Sequence, residues 1–331
     1  KKQKEFFMLT SSQLLEKINV YIANLPYSHE PKGLYAPIEY VLSLGGKRIR
    51  PVLMLMAYHL YEEEVDNILS AAASIEMYHN HTLLHDDLMD RADLRRNKPT
   101  VHKIWGDNTA ILSGDTMLIL AYQLMSGCSS SHLKDVLDVF NKTTLEISEG
   151  QQFDMEFETR EGVSEEEYIE MIRLKTSVLL AASLKIGAIL ADAPEKDIEE
   201  LYDFGIQIGL AFQLQDDYLD VYGDTAVFGK NIGGDILCNK KTYMLINAFR
   251  LANAEQRKEL ESWVARSEYV PQEKVKAVTS LYDAIGIKEL CNKKIEDYFQ
   301  RGMACLDRLQ VSDSRKALLR SFVESMMHRN V

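Results

Sequence analysis

The seven prolines of this 331-residue chain stand at 26, 31, 37, 51, 99, 194 and 271, and the long intervals between them carry apolar residues at spacings of three and four. That period gathers them on one face of an α-helix. Helices are expected over Pro51–Leu60, Ile68–Arg91, Ala110–Met125, Leu133–Asp154, Glu165–Leu190, Glu195–Val221 and Lys240–Ala252, many with Asp, Ser, Thr or Glu near the start, where they satisfy open N–H groups. Strand-type alternation is nearly absent. Glycine and proline together make up about 7% of the residues against a usual ~12%, too few for a many-turned all-β architecture. The expected class is all-α, as one domain over 1–331. The segments Ile68–Leu84 and Leu201–Leu214 are apolar on more than one side and are expected to be central helices. Both run into carboxylates.

A content of 46% hydrophobic and 27% charged residues marks an ordered globular protein. The net charge of −12 argues against nucleic acid as a partner, since binding it requires Lys and Arg to neutralise phosphates. No stretch approaches the ~20 apolar residues of a membrane span, and Lys1–Phe7 is charged without the apolar run of a signal peptide; the expected location is cytoplasmic. Cys128, Cys238, Cys291 and Cys305 are widely spaced without a C-x-x-C pair, so neither a zinc site nor a disulfide framework is indicated. The one linker-like stretch, Tyr222–Gly234, is too short to separate domains. After residue 250 helical periodicity continues with no motif.

The chemistry begins with a pattern found twice. Asp86-Asp87-Leu88-Met89-Asp90 and Asp216-Asp217-Tyr218-Leu219-Asp220 both read D-D-x-x-D. The first and last aspartates of each are four apart and share a helix face. Stacked carboxylates repel one another, more so when buried, and a cation removes that cost. Hard oxygen donors of this kind suit Mg²⁺, which is commonly held by one or two carboxylates while water and substrate phosphates complete its shell. One such pattern alone is an ordinary solvated acidic turn; two, each ending a strongly apolar helix, are harder to credit to chance.

Basic residues accompany the acidic ones. Lys47 and Arg50 follow Gly45-Gly46, Arg95 and Arg96 follow the first acidic motif, and Lys175, Lys230 and Lys240 flank the second. Arginine pairs with phosphate oxygens in bidentate fashion and lysine as a point charge.

In this order the motifs resemble those of the trans-type isoprenyl diphosphate synthases, also called polyprenyl synthetases. The resemblance is carried by Gly45-Gly46-Lys47-Arg48-Ile49-Arg50-Pro51, by His85-Asp86-Asp87-Leu88-Met89-Asp90 with Leu94-Arg95-Arg96-Asn97-Lys98-Pro99-Thr100, by Gly150-Gln151 with Asp154, and by Lys175-Thr176. It continues through Phe212-Gln213-Leu214-Gln215-Asp216-Asp217-Tyr218-Leu219-Asp220, Gly229-Lys230 and Asp235–Lys240, and covers roughly residues 40–245. It implies a helical bundle around a central cavity, the isoprenoid synthase fold, and a transferase of isoprene biosynthesis working as a homodimer. The implied reaction joins isopentenyl diphosphate head to tail to an allylic diphosphate (dimethylallyl, geranyl or farnesyl) through ionisation, condensation and elimination. About three Mg²⁺ per site, held by Asp86, Asp90, Asp216 and Asp220, and the donors Arg95, Lys175, Lys230 and Lys240 are implied around the leaving diphosphate. Lys47, Arg50, His79 and Arg96 are implied to hold the second diphosphate without metal. Thr176 and Gln213 are implied to turn oxygen dipoles toward the carbocation, and the released diphosphate to take the final proton. One departure is Asn239, where many members carry glycine before the lysine; asparagine also tolerates left-handed backbone.

Product length is expected to be set on the helix leading to Asp86. Position 81 lies ~7.5 Å and position 78 about 12 Å before that aspartate along the axis; the resemblance implies that bulk at the nearer place limits the product, so Tyr78, His81 and Thr82 form the expected floor of an apolar channel. Their sizes favour a C15–C20 product, geranylgeranyl ahead of farnesyl. A longer-chain polyprenyl diphosphate synthase and a non-catalytic regulatory subunit are the alternatives within the fold. A terpene cyclase is disfavoured because the second acidic motif is D-D-x-x-D, and an HD-type phosphohydrolase needs neither Asp216–Asp220 nor Gly45–Arg50. His79, His81 and His85 also have a plainer reading, as hydrogen-bonded core histidines.

Overall fold

The computed structural model describes residues 8–224 and 232–327, and among them helices dominate, with a single two-stranded hairpin. Most of the expected helices are present with small shifts at their ends: α3 (Ile49–His59), α4 (Leu69–Met89), α6 (Asp107–Met125), α7 (Leu133–Thr159) and α10 (Glu195–Tyr222). Two helices precede them, α1 (Ser11–Ala23) and α2 (Lys32–Ser43), and a short α5 (Val101–Trp105) precedes α6. The sequence reading had no helix before Pro51. Thr10 nevertheless forms a full capping box with Gln13, while Pro37 inside α2 masks its period.

The described residues within 1–141, 182–201 and 310–319 make one compact unit, and those within 142–181, 202–309 and 320–331 the other. In the first, α4 lies along α6, with α1, α2 and α3 also against it. Residues 71–78 of α4 are buried without interruption, so this part of the helix is enclosed on every side, as its all-round apolar sequence predicts.

The expected continuous helix Glu165–Leu190 is interrupted. It runs as α8 (Glu165–Ile172), a π-helical segment Arg173–Ser177, and α9 (Val178–Leu190). The widened turn holds Lys175 and Thr176, and Gly150 of α7 faces it so closely that an added Cβ would come within 2.5 Å of the Lys175 nitrogen. Such single π-turns break the regular spacing of side chains and recur at functional sites. The expected Lys240–Ala252 helix is present as α12 (Tyr243–Leu251), after a short α11 (Gly234–Leu237). The motif-free remainder folds as α13 (Ala254–Ala265), α14 (Pro271–Ile285), α15 (Ile287–Asp307) and α16 (Asp313–Met327). No helix among the described residues is long and apolar enough to cross a membrane. The four cysteines are free.

Candidate active site

The Gly45–Pro51 loop is built on left-handed backbone. Gly45, Gly46 and Arg48 have φ of 73°, 143° and 48°. At Gly46 the positive φ favours glycine, and an added Cβ would meet the Arg96 guanidinium at 2.8 Å, a group that donates to the Gly45 carbonyl. Arg48 turns inward. It is buried and pairs with the buried Glu76 at 2.6 Å, and it donates to the Leu42 carbonyl at 2.8 Å. Asn80 adds a second donor to Glu76 at 3.0 Å. Breaking such a pair leaves an uncompensated charge, so Arg48 anchors the loop and the outward side chains belong to Lys47 and Arg50.

Arg50 donates to Nε2 of His79 at 3.2 Å, which requires a neutral imidazole. Burial first, and then the charges of Arg50, Arg96, Arg95 and Arg48, hold the His79 pKa well below the ordinary histidine value. The charges of four guanidinium groups thus bear on one uncharged ring, with Arg48 and Arg95 also paired to Glu76 and Asp87, and this basic side of the site attracts anions. Lys47 is exposed at the edge of the same loop.

The first acidic motif occupies the last turn of α4. Asp87 is buried and accepts both Nε and Nη2 of Arg95 at 2.7 Å. This fork ties α4 to the hairpin β1 (Leu94–Arg95) and β2 (Lys98–Pro99), whose two turn residues Arg96 and Asn97 are both left-handed, as tight hairpins demand. Asp86 and Asp90 project from the same helix one turn apart. Arg95, expected at the leaving diphosphate, therefore also organises the motif itself.

His81 and His85 behave as their plainer reading predicts. The Nδ1 of His81 donates to the Gly114 carbonyl at 2.8 Å and its ring lies 4.7 Å from that of His85. Burial, followed by the neighbouring His85, lowers the His81 pKa to about 4. Tyr78 is buried, 5.6 Å from both His81 and Phe140. Thr82 turns its hydroxyl back to the His79 carbonyl at 2.7 Å. Phe140 joins this cluster across a long sequence separation, and nothing in its own segment signals it.

In the second unit Asp217 is buried near the end of α10. Its carboxylate accepts from the Tyr168 hydroxyl and from Gln213 Nε2 at 3.1 Å, and Gln213 Oε1 accepts in turn from Thr176 at 3.0 Å. Burial pushes the Asp217 pKa up to about 6 against the opposing pull of Lys240 and these hydrogen bonds. Asp235 is raised to about 7, chiefly by burial. Burial alone would make Lys240 a weaker base, yet Asp217 and Asp235 outweigh it and keep it cationic. Lys175 pairs with Asp154 at 2.6 Å. Asp216 is exposed, and Asp220 accepts the Asp235 backbone N–H at 2.9 Å, fastening α10 to the loop that carries Lys240. Lys230 lies outside the described residues. Tyr168, Asp87 and Glu76 were invisible to sequence reasoning as organisers, because each partner comes from another element.

Among the described residues no three His, Cys, Asp or Glu side chains already surround a metal position. The donor set fits Mg²⁺ all the same: paired carboxylates on one helix face suit an ion that takes much of its shell from water and substrate phosphates.

A model of the polyprenyl synthetase family matches residues 31–283, a span that enters both units. The geranylgeranyl diphosphate synthase of Methanosarcina mazei is 38% identical over 301 residues, 90% of each chain. A short chain isoprenyl diphosphate synthase of Methanocaldococcus jannaschii is 41% identical over 254 residues, 76% of this chain and 77% of its own. A crystal structure of a geranylgeranyl pyrophosphate synthase matches with a TM-score of 0.93 at 43% identity, covering 98% of this chain and 100% of that one. With two D-D-x-x-D helix ends, a converging arginine pocket and these likenesses, the chain belongs to the polyprenyl synthetase family and is a trans-prenyltransferase.

Proposed function

We propose that the enzyme condenses an allylic diphosphate with isopentenyl diphosphate head to tail and releases a C15–C20 diphosphate, geranylgeranyl ahead of farnesyl. The observation that carries this reading is the shared design of the acidic motifs: in each, the second aspartate is bonded within the protein, Asp87 to Arg95 and Asp217 to Tyr168 and Gln213. The first and last aspartates of both motifs, Asp86, Asp90, Asp216 and Asp220, are assigned to Mg²⁺ and through it to the allylic diphosphate. When bound, about three Mg²⁺ supply positive charge to the diphosphate as its bond to carbon breaks.

The chain's own residues do the rest. Arg95, Lys175 and Lys240, with Lys230, donate hydrogen bonds to the departing oxygens, where charge accumulates in the transition state. Lys47, Arg50, His79 and Arg96 hold the second diphosphate; the neutral His79 adds a polar contact without a further charge. Thr176 and Gln213, coupled at 3.0 Å, present oxygen atoms to the cation and no strong nucleophile. The proton lost in the closing elimination passes to the released diphosphate. Tyr78, with His81 and Thr82, forms the floor that stops elongation.

The test is to incubate the purified protein with Mg²⁺, isopentenyl diphosphate and C5, C10 or C15 primers and to measure product mass. A C20 diphosphate is expected, and absence of any longer allylic product defeats the proposal. The Tyr78→Ala, His81→Ala double variant is expected to lengthen the product, and unchanged length removes that floor.

We also propose a homodimer. On α6, Ile111, Leu112 and Ile119 are 46%, 59% and 67% exposed within one broad face that also carries the exposed Asp115, a mainly apolar surface suited to burial against a second copy. Sedimentation is expected to show a dimer that Ile119→Lys weakens.

A further inference from the structure

Asn239 precedes Lys240 and takes the left-handed conformation, φ 55°. An L-residue there is at a disadvantage that glycine escapes, and the structure holds the asparagine at both ends of its amide. Nδ2 donates to the Val264 carbonyl at 3.1 Å, and Oδ1 accepts from Nζ of Lys274 at 2.7 Å. Lys274 belongs to α14, in the part of the chain that carries no motif.

Lys274 is 0% exposed. A buried ammonium is costly unless its donors find acceptors, and the groups that Lys274 bonds are neutral. Besides Asn239 it donates to the Leu237 carbonyl at 3.3 Å, at the C-terminus of α11, where the Tyr269 hydroxyl also donates at 3.0 Å. Its Nζ lies 4.3 Å from the centre of the Tyr269 ring, a favourable cation–π position. All of these partners lie on the turn that leads into Lys240 or beside it. That turn is further defined by the Lys240 N–H donating to the Asp235 carbonyl at 2.9 Å and the Thr242 N–H donating to the Lys240 carbonyl at 2.8 Å. Lys240 in turn lies 3.9 Å from the Asp235 carboxylate.

We infer that Lys274 is a positioning residue for Lys240: its buried ammonium clamps the Asn239 side chain and the end of α11, and so fixes the left-handed turn that aims Lys240. The inference rests on the reading of Lys240 as a diphosphate donor. It assigns a part in prenyl transfer to α14, and it makes the asparagine at 239 and the lysine at 274 a dependent pair. Glycine at 239 adopts the same backbone without a clamp, so it relaxes the need for Lys274.

A double-mutant cycle on the full chain tests this, with Lys274→Met, Asn239→Gly and the two combined, each checked for folding by circular dichroism. Lys274→Met is expected to lower kcat at least tenfold with the KM for isopentenyl diphosphate unchanged, and Asn239→Gly to stay within threefold of the parent. In the Asn239→Gly background the same lysine change is expected to cost threefold or less. Equal losses in both backgrounds, or full activity of Lys274→Met, overturn the inference. Should Lys274→Met fail to fold, Asn239→Ala against Asn239→Gly decides with Lys274 intact: a tenfold lower kcat for alanine supports the aimed turn, and equal kcat refutes it. Lys240→Gln is the control for the underlying reading. If it keeps the parental kcat, the assignment of Lys240 to the diphosphate fails, an outcome separate from additivity in the cycle.

Discussion

The two helix ends that read D-D-x-x-D bury their middle aspartate on opposite electrostatic foundations. Asp87 meets a permanent cation, the Arg95 fork at 2.7 Å. Asp217 meets a hydroxyl and an amide, from Tyr168 and Gln213, and its acidity is weakened by burial, which raises its pKa to about 6. A guanidinium fixes a carboxylate by charge and shape together, whereas neutral donors fix it by direction and leave it nearer to neutrality. The first arrangement is also local, since Arg95 returns on a hairpin eight residues later, while the second draws Tyr168 from α8. The same motif can thus be braced within one supersecondary unit or by packing between distant helices.

The largest effect should come from the outer positions, where the comparison predicts no difference. Asp86→Asn and Asp216→Asn are each expected to lower kcat by a factor on the order of a hundred or more, as expected when a charged group is lost from transition-state stabilisation. Steady-state product formation in Mg²⁺ measures it, and loss in only one of the two variants would show that the motifs are not equivalent.

Acidification should strain the first region next. His81 stays neutral in the fold down to about pH 4, whereas in the unfolded chain it takes a proton near the ordinary pKa of ~6.5. Below that value the unfolded state binds more protons, so stability falls as pH drops from about 6.5 toward 4, by up to about 3 kcal/mol. Urea titrations at several pH values should show the decline, with a shallower slope in His81→Gln, which keeps a donor for the Gly114 carbonyl without titrating. Equal slopes in the two proteins contradict the assignment.

Smaller still is the direct contrast of the middle positions. Asp87→Asn leaves Arg95 without its fork and should destabilise by about 2 kcal/mol, less than a fully buried pair because the guanidinium is partly exposed. Asp217→Asn replaces a carboxyl already pushed toward its neutral form and should cost about 1 kcal/mol. Chemical denaturation of the metal-free variants at neutral pH compares them; a larger loss for Asp217→Asn would reverse the ranking.

Much of this site was legible before any fold was known, but not all of it. The spacing of Asp86 from Asp90 and of Asp216 from Asp220 is a property of any helix that contains them. The left-handed tolerance of Asn239 was likewise readable, and the structure gives it φ 55°. The π-turn at Arg173–Ser177 was not, because its segment keeps a helical apolar period and the close approach it makes is to Gly150 on another helix. The Arg95 fork escaped notice for a different reason: a hairpin of four paired residues is too short to produce an alternating pattern.

By itself the sequence determined the helical class, the approximate extents of most major helices, the shared face of each outer aspartate pair and the order of the motifs. These depend on the period of one chain segment and on the intrinsic preferences of its residues. Only the tertiary structure decided that Arg48 is an anchor for Glu76, that Asp217 is braced by Tyr168, and that a buried lysine from α14 grips the turn before Lys240. Those outcomes depend on which desolvated polar groups packing brings within bonding distance, and residues far apart along the chain have no local signal of where that will be.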